Sequence, residues 1–144
     1  MNPLVAAVVV VVVVAVAAIA GLLWRRRDGR VRTIEPDRVS PLELGYDTAA
    51  FGDRATLVQF STEMCARCPS VRRLLTGFAA AEGVGHVEVD LTHRPDLASR
   101  FHVLQTPTTL LLDGSGILRA RIGGMPRRDD LEAEIARVTE GADA

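Results

Sequence analysis

The sequence has few of the residues on which several classes of protein depend. It holds only two cysteines in 144 residues, so at most one internal bridge can form and a small domain stapled by several disulfides is excluded. The three histidines, His86, His93 and His102, lie 7 and 9 residues apart and form no close pair. Zinc sites need four ligands and are marked by closely spaced Cys or His pairs, so we expect no metal site.

Charge is missing from one stretch and uneven in the others. Residues 1–24 carry no ionisable side chain, residues 25–32 carry five arginines and one aspartate (+4), and residues 33–144 carry twelve arginines and seventeen acidic residues (−5). The −5 region lacks the clustered positive surface that phosphate neutralisation requires, which excludes a strongly basic nucleic-acid binder. With 48% hydrophobic residues, the chain is also too apolar for intrinsic disorder.

The uncharged stretch predicts a transmembrane helix. Residues 3–24 include seven consecutive valines, and as a helix they would measure roughly 33 Å, enough for a hydrocarbon core of about 30 Å. In lipid the backbone must satisfy its own hydrogen bonds, which forces the helix despite valine's modest helix propensity. A cleaved signal peptide, with its cleavage site at residues 18–20, is the alternative. The missing basic n-region and the length of the apolar run favour an uncleaved anchor.

The arginines that follow the span predict its orientation. Five arginines lie within the eight residues 25–32, whereas only the α-amine precedes the span. By the positive-inside rule, this basic collar and everything after it lie in the cytoplasm. We expect the collar to be attracted to anionic headgroups. A domain outside the cytoplasm is the alternative.

The rest of the chain divides into two regions. Residues 28–53 contain several prolines and glycines and no sustained period, which predicts a tether followed by a short packed element at 41–51. From residue 54 to residue 144, strand and helix patterns alternate as in an α/β domain. We predict strands at 55–61, 86–91, 108–112 and 117–122, and helices at 70–82, 95–101 and 127–138. These two regions follow residues 1–27, which contain the predicted transmembrane helix and the first three arginines of the basic collar.

The two cysteines carry the strongest chemical signal. Cys65 and Cys68 follow the first predicted strand and precede the first helix of the domain. Unpaired N–H groups and the positive end of the helix dipole favour the thiolate there, and the thiolate is the form that attacks a disulfide. Arg67 adds a cation beside both sulfurs. A purely structural bridge is the alternative, but so short a loop removes little unfolded-state entropy.

These residues resemble the thioredoxin family, and the resemblance extends from Thr56 to the last predicted helix. Phe60 and Glu63 match residues that lead into the paired cysteines, and Pro95 matches a proline that opens the next helix. Residues 106–108 (Thr-Pro-Thr) match a loop that holds a cis proline opposite the cysteines. Gly123 matches a glycine that lines the substrate surface.

The resemblance implies a thioredoxin-like fold with a mixed central sheet and the activity of a thiol–disulfide oxidoreductase. Cys65 would be the nucleophile and Cys68 the resolving thiol, with this redox-active pair in place of any cofactor. Protein thiols and disulfides would be the substrates, and a reductase or a membrane dithiol would recycle the pair. The implied substrate-binding residues are Met64, Ala66, Arg67, Thr106, Pro107 and Gly123.

The sequence departs from the family pattern around the cysteines. Met64 and Ser61 stand where the family has tryptophans, Arg67 stands in place of a proline, and Gln59 stands in place of a buried aspartate that accepts a proton. An amide cannot accept a proton, so we hypothesise that Glu88, on the neighbouring strand, is the proton acceptor. Burial makes a carboxylate a stronger base, which suits this step. An ordinary solvated or paired role for Glu88 is the alternative.

Two other functions fit the same residues. The departures favour a redox-inactive, membrane-tethered module that keeps the fold and binds partners through its Pro107 surface. If the topology is reversed, the domain would be an extracytoplasmic thiol donor for cytochrome c maturation. In the cytoplasm, where thiols are kept reduced, we expect a reductant or a redox relay.

Overall fold

A computed structural model describes residues 2–27, 29–33 and 36–142 of the chain. The predicted regions 1–27, 28–53 and 54–144 therefore each include residues that lie outside the described ones: residue 1, residues 28, 34 and 35, and residues 143–144. The helices are α1 (Pro3–Arg27), α2 (Cys68–Glu82), α3 (Pro95–Arg100) and α4 (Arg128–Ala142). The strands are β1 (Val31–Thr33), β2 (Ala55–Ser61), β3 (Gly85–Asp90), β4 (Thr108–Asp113) and β5 (Leu118–Gly123).

The domain is built around one mixed sheet of five strands. The strand order is β1-β5-β4-β2-β3. Strands β2 and β3 run parallel, joined by the crossover helix α2, and the remaining pairs are antiparallel. All seven residues of β2 are buried, which explains its nearly continuous apolar sequence. The predicted mixed central sheet is confirmed.

The two faces of the sheet each pack against helices. Along β2, Val58 and Phe60 point to the face covered by α3, whereas Ala55 and Leu57 point to the face covered by α2 and α4. This alternation is the period of two expected for a strand. On the α3 side the ring centroids of Phe60 and Phe101 lie 5.3 Å apart, within the range of favourable aromatic pairs.

The segment that precedes β2 differs from the predicted tether at one point. Val31–Thr33 forms β1 and pairs with β5, Val31 lying opposite Ile122. Three residues are too few to show an alternation in the sequence, so this edge strand has no local signature. The packed element expected at 41–51 is present as two short 3-10 helices, Leu42–Leu44 and Thr48–Ala50, with Leu44 in the core.

Helix α1 differs from every other helix in what surrounds it. The valines of residues 8–14 are 54% to 67% exposed, although valine side chains in a water-soluble protein are mostly buried. Within the described ranges, α1 is the one helix long and apolar enough to cross a membrane. A secretory signal of the same length would meet the same criterion.

Candidate active site

The two cysteines lie at the carboxyl end of β2, in the loop that leads into α2. The N–H of Cys65 donates to the carbonyl of Thr62 (3.1 Å), and the N–H of Cys68 donates to the carbonyl of Cys65 (3.2 Å). Helix α2 begins at Cys68, two residues earlier than predicted, with Pro69 in its first turn. A proline is tolerated there because the first N–H groups of a helix have no partner within the helix.

The two sulfurs form a disulfide and differ in their access to solvent. The Sγ atoms are 2.04 Å apart and the Cα atoms 5.4 Å apart. Cys65 is half-buried, whereas Cys68 is only 3% exposed. Cys65 is therefore the sulfur that is more accessible to an incoming group. Both sulfurs lie at the amino end of α2, where N–H groups and the helix dipole stabilise a negative charge.

The loop before β4 faces the cysteine loop and forms the second side of the site. The Thr106–Pro107 peptide bond is cis, which agrees with what the family resemblance implies. The Oγ1 atoms of Thr106 and Thr62 lie 3.1 Å apart and share a hydrogen bond between the two loops. Gly123 pairs with Thr108 in the sheet, so residues 106, 107 and 123 lie together at the same end of the sheet.

The outer surface of the site is open and partly apolar. Met64, Ala66 and Arg67 are all exposed, Met64 by 92%. Leu104, in the loop before β4, is 96% exposed and was not identified from the sequence. Nothing in its local pattern distinguishes it from a core leucine, because its exposure depends on how the loop between α3 and β4 folds. Met64, next to Cys65 in the chain, thus gives this surface a flexible, exposed apolar side chain.

The inner side of the disulfide is polar and buried. The side chain of Gln59 is fully buried beneath α2, and its Nε2 donates to the carbonyl of Cys68 (3.1 Å) and to Oε1 of Glu88 (3.4 Å). The Oε1 atom of Gln59 has no hydrogen-bond partner among the described residues. The same holds for Oγ1 of Thr109, the residue opposite Gln59 on β4. Buried polar atoms of this kind are rare and often occur at functional sites.

Glu88 has a partner that the sequence did not reveal. Its Oε2 lies 2.5 Å from Nε of Arg72 on α2, and the hydrogen bond and charge of this carboxylate raise the pKa of Arg72. Glu88 is therefore a paired strand residue, and its role as proton acceptor stays a prediction. Its hydrogen bond to Gln59 also places it one side chain away from Cys68.

Comparisons with known proteins agree with this geometry. The sequence model of the thioredoxin family matches residues 46–137, well over half of the chain. A thioredoxin of Alicyclobacillus acidocaldarius subsp. acidocaldarius is 28% identical over 100 residues, which is 68% of this chain and 94% of that protein.

Solved structures with the same fold include three thioredoxins. Oxidised mitochondrial thioredoxin 3 of Saccharomyces cerevisiae is 27% identical, with a TM-score of 0.52 over 59% of this chain and 79% of that one. A thioredoxin of Nicotiana alata is 26% identical, with a TM-score of 0.52 over 60% and 75%. A mutant thioredoxin of Halobacterium salinarum NRC-1 has a TM-score of 0.54 over 60% and 76%, and at 21% identity it bears on the fold alone.

Proposed function

Since the chain belongs to the thioredoxin family, we propose that it is a membrane-anchored thiol–disulfide oxidoreductase that uses Cys65 and Cys68 on protein substrates. Family membership together with the Cys65–Cys68 disulfide supports the activity. The observation that carries the roles of the two sulfurs is their unequal access: Cys65 is half-buried and Cys68 is 3% exposed. The accessible sulfur meets the substrate, and the buried sulfur completes the reaction.

The proposed reaction has two steps. In the reduced protein, the Cys65 thiolate attacks one sulfur of a substrate disulfide. The substrate S–S bond breaks, one substrate thiolate leaves and takes a proton, and a mixed disulfide with Cys65 forms. Cys68 then loses its proton and attacks the Cys65 sulfur, which releases the second substrate thiol and forms the Cys65–Cys68 bond. Two electrons pass from the cysteine pair to the substrate.

The loop opposite the cysteines is the proposed substrate surface. The backbone of Thr106 would pair with an extended substrate segment, a form of strand addition. Pro107 and Gly123 carry little bulk beside it. On the cysteine side, the exposed residues Met64, Ala66 and Arg67 would contact the same segment. No cofactor beyond the cysteine pair is required by this reaction.

Glu88 is the proposed proton acceptor for the second step. Gln59 cannot accept a proton, and Glu88 is the carboxylate that hydrogen bonds to it directly beneath Cys68. The ion pair with Arg72 orients Glu88. We therefore assign to Glu88 the function that a buried aspartate has in the family.

The proposed location is a cell membrane, with α1 as an uncleaved single-pass anchor and the domain in the cytoplasm. The apolar length of α1 supports the anchor, and the arginines at residues 25–32 support this orientation by the positive-inside rule. A reductase or a membrane dithiol would return electrons to the oxidised pair. Family membership supports a reductase as the partner in general.

Two measurements test the proposal. The purified full chain in detergent should reduce the disulfides of insulin, and Cys65→Ser should abolish this activity. A folded protein that leaves insulin intact would support a binding module instead. Because Cys65 and Cys68 are the only cysteines, labelling by a membrane-impermeant thiol reagent reports sidedness without interference. Labelling in intact cells would overturn the cytoplasmic orientation, whereas labelling only after lysis supports it.

A further inference from the structure

We propose that the preferred substrates are disulfides of membrane proteins that lie at the membrane surface, because the cysteine loop lies within a short distance of the end of α1. This inference rests on the proposed anchoring and activity. It adds the class of substrate and the limit on its position.

The first observation is that almost no chain separates the span from the sheet. Helix α1 ends at Arg27, and Gly29 already docks on the domain, where its N–H donates to the carbonyl of Gly123 (2.7 Å). Gly29 is buried with φ of +77°, and a Cβ there would lie 2.1 Å from the carbonyl oxygen of Met125. Only glycine fits such a position. Gly29, two residues after α1, is therefore held in place by the domain.

The second observation is that β1 continues this attachment. Val31–Thr33 pairs with β5 from Ile122 to Ala120, and Val31 packs against the core on the α2 and α4 side. A segment that is paired in a sheet and packed on a core cannot act as a flexible tether. The domain is thus attached to the span along a strand.

The third observation is the position of the attachment relative to the cysteines. Gly123 lies opposite Thr108, and Thr108 lies opposite Phe60 on β2. Gly29, Gly123, Thr108 and Phe60 therefore form one row across the sheet at the end that carries the cysteine loop. Three strand spacings amount to roughly 14–15 Å, and the two residue steps from 27 to 29 add at most about 7 Å. The cysteine end of β2 lies within about 20–25 Å of the end of α1.

The fourth observation is that the end of α1 borders the proposed substrate surface. A cavity beside that surface is lined on one side by Leu23 and Trp24 and on the other by Leu104, Gln105 and Gly123. A substrate segment that pairs with the neighbouring Thr106 would pass next to the residues of α1 that leave the membrane. The site opens towards the place where another membrane protein would present its first residues outside the bilayer.

The consequence is a limit on reach. A flexible tether over residues 28–53 would have a root-mean-square reach of about 28 Å and would extend much further when stretched. An attachment that docks on the domain at Gly29, two residues after α1, has no such range. Anchoring two partners in one membrane raises their effective concentration only when their geometry allows both to meet. The increase in effective concentration therefore applies to disulfides close to the membrane surface. It is absent for disulfides held far above that surface.

The test measures, in proteoliposomes, how the rate of disulfide reduction depends on the height of the substrate disulfide above the membrane. We call this dependence the height profile. The pre-reduced full chain is reconstituted with a single-span peptide that carries a small disulfide loop, either directly after its span or after a semi-rigid helical spacer of about 10, 20 or 30 residues, which adds about 1.5 Å per residue. We expect single-turnover reduction to be at least tenfold faster for the shortest spacers than for the longest. Equal rates at all heights would overturn the inference.

Two insertions provide the matched comparison. A flexible Gly/Ser segment of about 20 residues, placed between residues 27 and 28, leaves the docking of Gly29 intact and should flatten the profile. The same segment placed after residue 142 should leave the profile unchanged. If the first insertion leaves the profile as steep as before, the attachment is not the cause and the inference fails.

Failure of the proposed activity or of the membrane anchor can be distinguished from failure of the inference about substrate position. The same proteoliposomes are tested for reduction of soluble insulin and for flotation of the protein with the vesicles in high salt. Loss of insulin reduction removes the activity, and loss of flotation removes the anchor. When both are present, a flat height profile removes only the inference about substrate position.

Discussion

The outer and inner sides of the Cys65–Cys68 bridge differ in burial, and each departs from the family pattern in its own way. On the outer side, the half-buried Cys65 and Gly123 and the buried Pro107 keep the family pattern, whereas the exposed Met64 and Arg67 depart from it. The inner side, beneath Cys68, is buried, yet Gln59 replaces the family's aspartate there. Buried positions usually tolerate fewer chemical changes than exposed ones. We therefore expect the changes at Met64 and Arg67 to affect contact with the substrate and the change at Gln59 to affect the resolution step.

The inner side also carries an energetic cost. Within the described ranges, Oε1 of Gln59 and Oγ1 of Thr109 are buried with no hydrogen-bond partner. An unsatisfied buried polar atom costs about 1–3 kcal/mol. We therefore expect these two buried atoms to lower the stability of the fold.

The largest effects are expected when each cysteine is replaced by serine in turn. Cys65→Ser should abolish insulin reduction, because no accessible sulfur remains. Cys68→Ser should keep the first attack and accumulate a mixed disulfide with the substrate, visible by mass spectrometry under non-reducing conditions. Thermal unfolding of both variants, recorded with the reduced wild-type protein, controls for their stability. A covalent adduct on Cys65→Ser and none on Cys68→Ser would reverse the assignment.

The next test removes the carboxylate from the inner side. Glu88→Gln keeps the shape of the side chain but cannot accept a proton, so the resolution step should slow by roughly 10², whereas the first attack should be unchanged. Rapid-quench measurement of a single turnover separates the two steps. Arg72→Gln is the matched control, because it removes the ion pair of Glu88 and leaves the carboxylate in place. Unchanged resolution in Glu88→Gln would exclude Glu88 as the acceptor.

A third test measures the cost of the buried polar atoms. Thr109→Val replaces an unsatisfied hydroxyl by a methyl group of the same shape and should raise the free energy of unfolding by about 1–3 kcal/mol. Thr139→Val is the control, because that hydroxyl is also buried but donates to the carbonyl of Ile135 (3.0 Å), and its removal should give no gain. Urea unfolding of the isolated variants measures both. A loss of stability in Thr109→Val would mean that its hydroxyl is satisfied in solution.

Features that depend on neighbouring residues could be predicted from the sequence, whereas features that depend on distant residues could not. The bounds of β2 and the position of the cysteines between a strand and a helix follow from local patterns, and both are confirmed. Strand β1 could not be predicted, because its three residues are held only by pairing with β5. The ion pair between Arg72 and Glu88 joins a helix to a strand sixteen positions away, so no local pattern reveals it.

The smallest expected effect is a pH dependence of stability that arises from His86, at the edge of the buried polar side of the bridge. His86, on β3, donates or accepts one hydrogen bond with Thr76 (3.2 Å), and its other ring nitrogen is buried without a partner among the described residues. Burial lowers the pKa of His86 below 6.5, with Glu88 acting in the opposite direction and Arg72 in the same direction. The unfolded chain therefore binds a proton more readily than the folded one.

The sign of the pH effect follows from this shift. The contribution of His86 to stability should be complete above pH 6.5 and should decrease as the pH falls through the lowered pKa of the folded state. His86→Gln should remove that part of the pH dependence, whereas His93→Gln, at an exposed position, should not. Unfolding by urea at several pH values between 5 and 8 checks both variants. A pH profile of His86→Gln that matches the wild type would show that the buried ring takes its proton as easily as a free histidine, and the inner side would then be more hydrated than its burial indicates.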